Sequence, residues 1–178
     1  MAYNKFSNLI HTLDNIKSDK VHNYVIAGLD SYLLGKGKVR MFKNSRNHLD
    51  YITPHSHRYG FSSLVLQGSV VNELWESCDD SQGDLFLVST LEYDGEVGKH
   101  TVTRGDPDYF CMSSEGYTQG ESYKMDSNEI HSIRFSRDAI VLLFEEEEDT
   151  LTSKIIEPVV SGRLIKTYEN KDYMFLKG

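Results

Sequence analysis

Apolar positions in the first part of the chain recur at helical spacing. Phe6, Leu9, Ile10, Leu13 and Ile16 fall on one face of a 3.6-residue repeat, which predicts an amphipathic helix over residues 3–17. Ser18 and Asp19 are good N-cap types, and Val21, Tyr24, Val25, Leu29 and Leu33 extend the periodicity into a second helical stretch. Gly35 and Gly37 are placed to end it.

From Val39 onward the pattern changes to short runs rich in β-branched and aromatic residues, separated by turn formers. The clearest strands are predicted at 39–42, 62–67, 70–76, 84–93, 130–135 and 139–144. Gly68-Ser69 suits a tight hairpin between two of them, and Ser136-Arg137-Asp138 joins a second pair. Residues 99–119 read as loop-rich, with a turn at Gly105-Asp106-Pro107-Asp108. Closely spaced short strands with few helices favour a mainly β sandwich or barrel over a parallel α/β sheet. The helices would then cover one barrel mouth or form a homodimer contact. With no internal repeat or linker, residues 1–178 read as one domain: a helical extension at 1–35, a barrel at 39–145, and C-terminal strands and tail at 146–178.

Charge narrows the partners. A formal net charge of −8 disfavours nucleic acid and anionic membrane surfaces, which gain nothing from an acidic protein. No apolar run approaches a membrane span, and the first residues lack a signal-peptide pattern, so a cytoplasmic protein is expected. Two cysteines are too few for a disulfide scaffold. Cys78, in ESCDDSQGD, is expected as an exposed turn thiol, and Cys111, between Phe110 and Met112, as buried packing. The acidic run 145–149 reads as a solvated loop.

Chemistry concentrates in three histidines. His55 and His57 stand two apart, so on an extended chain they point to one face, together with Tyr59, Phe61, Ser63 and Val65. His131 shares its face with Ile133 and Phe135 on a separate strand. Spacing alone is weak, because seven histidines in 178 residues give about 0.3 His-x-His pairs by chance. The apolar faces around them carry the inference: a buried imidazole is a hydrogen-bonded core residue or a ligand, and three converging ones favour a metal site. His11, His22, His48 and His100 lack such surroundings.

The segment PHSHRYGFSSLVLQGSV resembles the first cupin motif, a glycine-bounded His-x-His hairpin, and GESYKMDSNEIHSIRF resembles the second. The resemblance covers most of residues 50–145. It implies a cupin double-stranded β-helix, a jelly-roll barrel, with one divalent metal held by His55, His57 and His131. Many cupins add a glutamate three or four residues after the histidine pair, where this chain has Phe61 and Ser62. The pattern is therefore similar to the three-histidine branch, which includes cysteine-dioxygenase-like thiol dioxygenases, diketone dioxygenases and gentisate-type ring cleavers. Thiol dioxygenases are nearest in length and in the aromatic-serine stretch. Their Ser-x-His-x-Tyr element is absent after His131, and Ser62 stands where a cysteine would lie beside the site.

That resemblance implies an iron(II) dioxygenase acting with O2 on a small anionic thiol or enolate, although nickel, manganese, copper or zinc would suit the same ligands. A non-oxidative isomerase, epimerase or lyase, or a non-catalytic binding cupin, is the alternative. Glu73 shares a face with Val71 and Trp75 and is a candidate fourth ligand or acid/base group, or an outer-face residue. Tyr59 is a candidate hydrogen-bonding group towards a bound ligand. Arg40 is a candidate clamp for a substrate carboxylate, or an exposed ion-pairing residue. Arg58 and Arg134 alternate with the histidines and are expected to point away.

Overall fold

A computed structural model describes residues 6–16, 18–34, 38–46, 52–94, 100–160 and 163–164. Among the described residues one helix, α1 (Ser7–Asp14), precedes twelve strands: β1 (Ser18–Val21), β2 (Leu29–Leu34), β3 (Val39–Asn44), β4 (Tyr59–Gln67), β5 (Ser69–Ser77), β6 (Asp84–Tyr93), β7 (His100–Thr118), β8 (Ser122–Met125), β9 (Ile130–Phe135), β10 (Ile140–Glu148), β11 (Thr152–Val160) and β12 (Arg163–Leu164). The expected mainly β architecture is observed. The strands form two six-stranded sheets, ordered β1-β2-β3-β10-β4-β8 and β12-β11-β6-β7-β5-β9.

The chain changes sheet at Gly68, expected as a hairpin, and at the 136–138 connection. β4 and β5 do not pair: β4 lies between β10 and β8, β5 between β7 and β9. The 136–138 corner likewise carries the chain from β9 to β10 in the other sheet. Gly68 adopts a left-handed φ of 72°, and a Cβ there would lie 2.5 Å from Ser136 Oγ, so the corners pack directly on one another. Ser136 Oγ also accepts a 2.9 Å bond from the Ser69 amide. Sequence punctuation locates such turns but does not say which sheet the next strand joins.

The second sheet is closed by a short segment outside any strand. His55 exchanges two 2.9 Å backbone bonds with His131 on β9; Ser56 N donates to Lys154 O at 2.8 Å, and Ile156 N donates to Pro54 O at 3.1 Å, both on β11. Residues 54–56 therefore stitch β9 to β11. One core, including Phe42, Phe61, Val65, Val70, Ile133, Phe135, Val141 and Leu143, fills the space between the sheets. A second, of Phe86, Phe110, Ile130 and Ile156 with Trp75, lies on the other face of the second sheet.

Three expectations are corrected. The helical stretch from Val21 to Leu33 is instead the antiparallel pair β1–β2, because Asn23, Val25 and Gly28 take positive φ values of 52°, 63° and 88° that no right-handed helix admits. Helix α1 and Phe6 just ahead of it pack Phe6, Ile10 and Leu13 on Leu34, Met41 and Leu142, against a face of the first sheet. Gly35 and Gly37 lie outside the described residues. The loop-rich 99–119 is the nineteen-residue strand β7. It is solvent-exposed along most of its length, so no alternation of polar and apolar residues marks it. Pro107 sits at the register shift opposite Leu87–Ser89, a bulge where a missing N–H is tolerated. Finally, Cys78 and Cys111 are joined as a disulfide with Cα atoms 6.0 Å apart. Among the described residues no helix is long and apolar enough to cross a membrane.

Candidate metal centre

His55 and His57 sit just ahead of β4, and His131 near the start of β9. Antiparallel partners share a face, so the bridge between His55 and His131 sends both imidazoles the same way. His57, two residues on, joins them: ring centroids are 4.7 Å apart for His55–His57, 5.4 Å for His55–His131 and 5.2 Å for His57–His131. One nitrogen from each ring lies within 4.8 Å of the others.

Hydrogen bonds decide which nitrogens face the centre. His55 Nδ1 donates to the Thr53 carbonyl at 2.7 Å, and His131 Nδ1 donates to Asn72 Oδ1 at 2.7 Å. Both Nε2 atoms are left as lone-pair donors. His57 Nε2 stands 3.0 Å from His131 Nε2. Nitrogens bound about 2.0–2.1 Å from one ion lie roughly 3–3.5 Å from each other in octahedral or tetrahedral geometry, so this spacing fits. Oxygen acceptors on the outer ring nitrogens are the usual support of metal-binding histidines. Burial depresses the pKa of all three rings, and it holds His57 and His131 well below the ordinary value with the neighbouring rings adding to the effect. They are neutral at neutral pH, the form that binds metals.

The triad lies in the wall of a cavity of about 100 Å³ between the sheets. Phe42, Phe61, Tyr123, Ile133, Phe135 and Leu143 are among the apolar residues that line it. Tyr59 and Arg40 also line it. Tyr59 OH donates to Glu145 Oε1 at 3.2 Å, and Arg40 Nε donates to the same oxygen at 2.6 Å. Burial, reinforced by Glu145, pushes the Tyr59 phenol far up, so it stays protonated. Arg40 and Glu145 side chains are 10% and 11% exposed, making this a buried ion pair.

No family model matches the sequence, and no curated protein matches it. Solved structures do. KdgF from Halomonas sp. is 16% identical over 76% of this chain and 93% of its own, with a TM-score of 0.41. An RmlC-like cupin from Shewanella frigidimarina is 12% identical over 76% and 88%, TM-score 0.39. The CENP-C cupin domain of Drosophila melanogaster is 12% identical over 73% and 76%, also at 0.39. These are distant likenesses of shape and assign no activity.

Glu73 does not reach the triad. It lies beside Ser132 on β9, and the pleat sends both to the face opposite His131. There it is buried, accepting a 2.7 Å bond from Ser132 Oγ and pairing with Arg134 at 2.8 Å. Trp75 Nε1 donates to Ser132 Oγ at 3.2 Å, completing the network. Arg134 thus points away from the histidines, as expected. Arg58 stacks 4.4 Å over Tyr93 and pairs with Glu148 at 3.2 Å, yet lines the cavity edge. The acidic run is not a loop: it ends β10, where Glu145, Glu146, Glu147 and Glu148 pair with Arg40, Lys124, Lys38 and Arg58. His48 lies outside the described residues.

Two hydrogen-bond partners of the histidines escape the sequence reading. Thr53 acts through its backbone carbonyl, which no side-chain pattern announces. Asn72 had a readable signal, a lone polar residue between Val70 and Leu74 on alternate positions of a strand.

Proposed function

We propose that this chain is a cupin that binds one divalent ion through His55, His57 and His131 and acts as an iron(II)-dependent dioxygenase. The observation that carries the reading is the convergence of three neutral imidazoles, two with their Nδ1 atoms committed to oxygen acceptors, on one point of a largely apolar cavity. When bound, iron(II) supplies open positions for a chelating substrate and O2 and a path for electrons between them.

The protein's own groups supply the rest. Three uncharged ligands leave the ion's charge uncompensated, which favours a small anionic ligand such as a thiolate or enolate. The largely apolar, aromatic walls lower the polarity around it. The Tyr59 phenol donates to Glu145 and lines the cavity, and its oxygen can still accept from a ligand hydroxyl. Arg40 is engaged by Glu145, which weakens the case for a dedicated carboxylate clamp. Cavities of roughly 150 Å³ hold benzene, so about 100 Å³ beside the triad has room for the reacting part of a small metabolite.

Metal analysis of protein purified without chelator should find close to one ion per chain, lost in His57→Ala. Anaerobic loading with iron(II), then oxygen, should give uptake with a member of a thiol, diketone and catechol panel. Absence of metal sinks the whole reading. Stoichiometric metal without oxygen uptake sinks its oxidative half and favours an isomerase, lyase or binding role for the same centre.

A further inference from the structure

We propose that Asn72 is the positioning residue of this centre, and that Met125 sets its orientation. The inference rests on the metal reading above for its consequence, though not for its geometry. Asn72 lies on β5, diagonal to His131 on the same face of the second sheet, and is 3% exposed. Its amide is used at both ends: Oδ1 accepts from His131 Nδ1 at 2.7 Å, and Nδ2 donates to Met125 Sδ at 3.3 Å.

The thioether makes the assignment directional. Methionine sulfur has no proton to give, so it can only accept. Reversing the amide would set Oδ1 against sulfur, acceptor against acceptor, and turn the NH2 towards His131. His131 would then have to accept at Nδ1 and carry its proton on Nε2, the nitrogen facing the centre. With the sulfur in place the opposite holds: Asn72 presents oxygen, His131 keeps its proton on Nδ1, and the Nε2 lone pair faces His55 and His57.

Met125 belongs to β8 in the first sheet, where it pairs with Phe61 beneath the His57 ring. The chain Met125–Asn72–His131 therefore spans the gap between the sheets and ties the position of β8 to the proton on one histidine. No other side chain offers His131 Nδ1 an acceptor among the bonds of the described residues.

The test reads the proton directly. Imidazole ¹⁵N–¹H correlation spectra of the full chain should show His131 protonated at Nδ1, and Zn(II) titration should give a wild-type affinity. Asn72→Asp keeps an acceptor and should keep the Nδ1–H form. Asn72→Leu should lose it and weaken Zn(II) binding about 10–100-fold. Met125→Leu should yield a mixture of His131 tautomers and a smaller loss. An Nε2–H form in the wild type, or an unchanged tautomer in Asn72→Leu with a native melting curve, overturns the proposal. If Asn72→Leu does not fold, Met125→Leu decides: a single unchanged tautomer there overturns it. A wild type that binds no Zn(II) yet shows the expected tautomers would sink the metal reading and leave the Asn72 assignment standing.

Discussion

His57 Nε2 and His131 Nε2 lie 3.0 Å apart, although 74 positions separate them in the chain. Such proximity of two neutral rings in a buried site is what an ion between them would exploit. Saturation with Zn(II) at a hundredfold excess over Kd is expected to stabilise the fold by about 2.7 kcal/mol, or roughly 5–10 °C in Tm for a domain of this size. His57→Ala should melt at one temperature with or without the ion. Differential scanning calorimetry checks this; an equal metal shift in the variant would place the ion elsewhere.

Arg40, which lines the cavity, forms a buried ion pair with Glu145. Breaking one side of a buried pair costs about 3–5 kcal/mol, because the remaining charge is stranded, whereas replacing both by apolar residues is often neutral. Arg40→Met is expected to lose stability in that range, and Arg40→Met with Glu145→Leu to recover most of it. Urea denaturation of the double-mutant cycle measures the coupling. A loss below about 1 kcal/mol for Arg40→Met would show that solvent reaches the pair.

The face occupied by Glu73 makes a separable prediction. Glu73→Gln keeps a partner for Ser132 but gives up the charge that faces Arg134. A loss of about 1–3 kcal/mol is expected, with metal content unchanged. Loss of the ion in a folded Glu73→Gln protein would contradict the geometry of the pleat.

What could be read in advance follows from what each signal depends on. The histidine face was legible because the residues that accompany it, Tyr59, Phe61, Ser63, Ile133 and Phe135, alternate cleanly and do line one cavity. Strand β9 was legible in full for the same reason, since one of its faces is buried and apolar. The β7 strand was not, because a strand with both faces in water has no period to detect. Val21 to Leu33 misled because helical spacing is not helical backbone, and the positive φ of Val25 has no local sequence signature. Glu73 shows the remaining limit: pairing with β9 brought it near His131, but parity along the strand, not nearness, decides the face.

Buried phenols give the alkaline limit of stability. Burial pushes Tyr123 up to about 12 and raises Tyr24 as well. Unfolded tyrosine titrates near about 10. The folded chain therefore holds these protons more tightly than the unfolded chain, so their contribution is intact below pH about 10 and is lost as the pH rises through the folded values. Each phenol adds a slope of about 1.4 kcal/mol per pH unit within that window. Denaturation midpoints should fall steeply above pH 10, less steeply in Tyr123→Phe. Identical slopes for the two proteins would mean that Tyr123 ionises freely in the fold.

The Cys78–Cys111 bridge makes the last prediction and bears on where the chain works. It closes a separation of 33 residues and ties the turn after β5 to β7, next to the backbone bond from Cys78 N to Tyr109 O at 2.9 Å. Loop-closure entropy for that separation gives about 3–4 kcal/mol of stabilisation, acting on the unfolded chain. Cys78→Ser with Cys111→Ser should lose an amount of that order while keeping its metal, since the bridge lies outside the histidine cavity. Disulfides of this kind persist in oxidising compartments and are rare where thiols are kept reduced, which sets the bridge against the cytoplasmic expectation. Thiol counting on denatured, unreduced protein isolated under alkylating conditions separates the two. No free thiol supports an oxidising setting, and two free thiols would return the cysteines to the reduced state read from sequence.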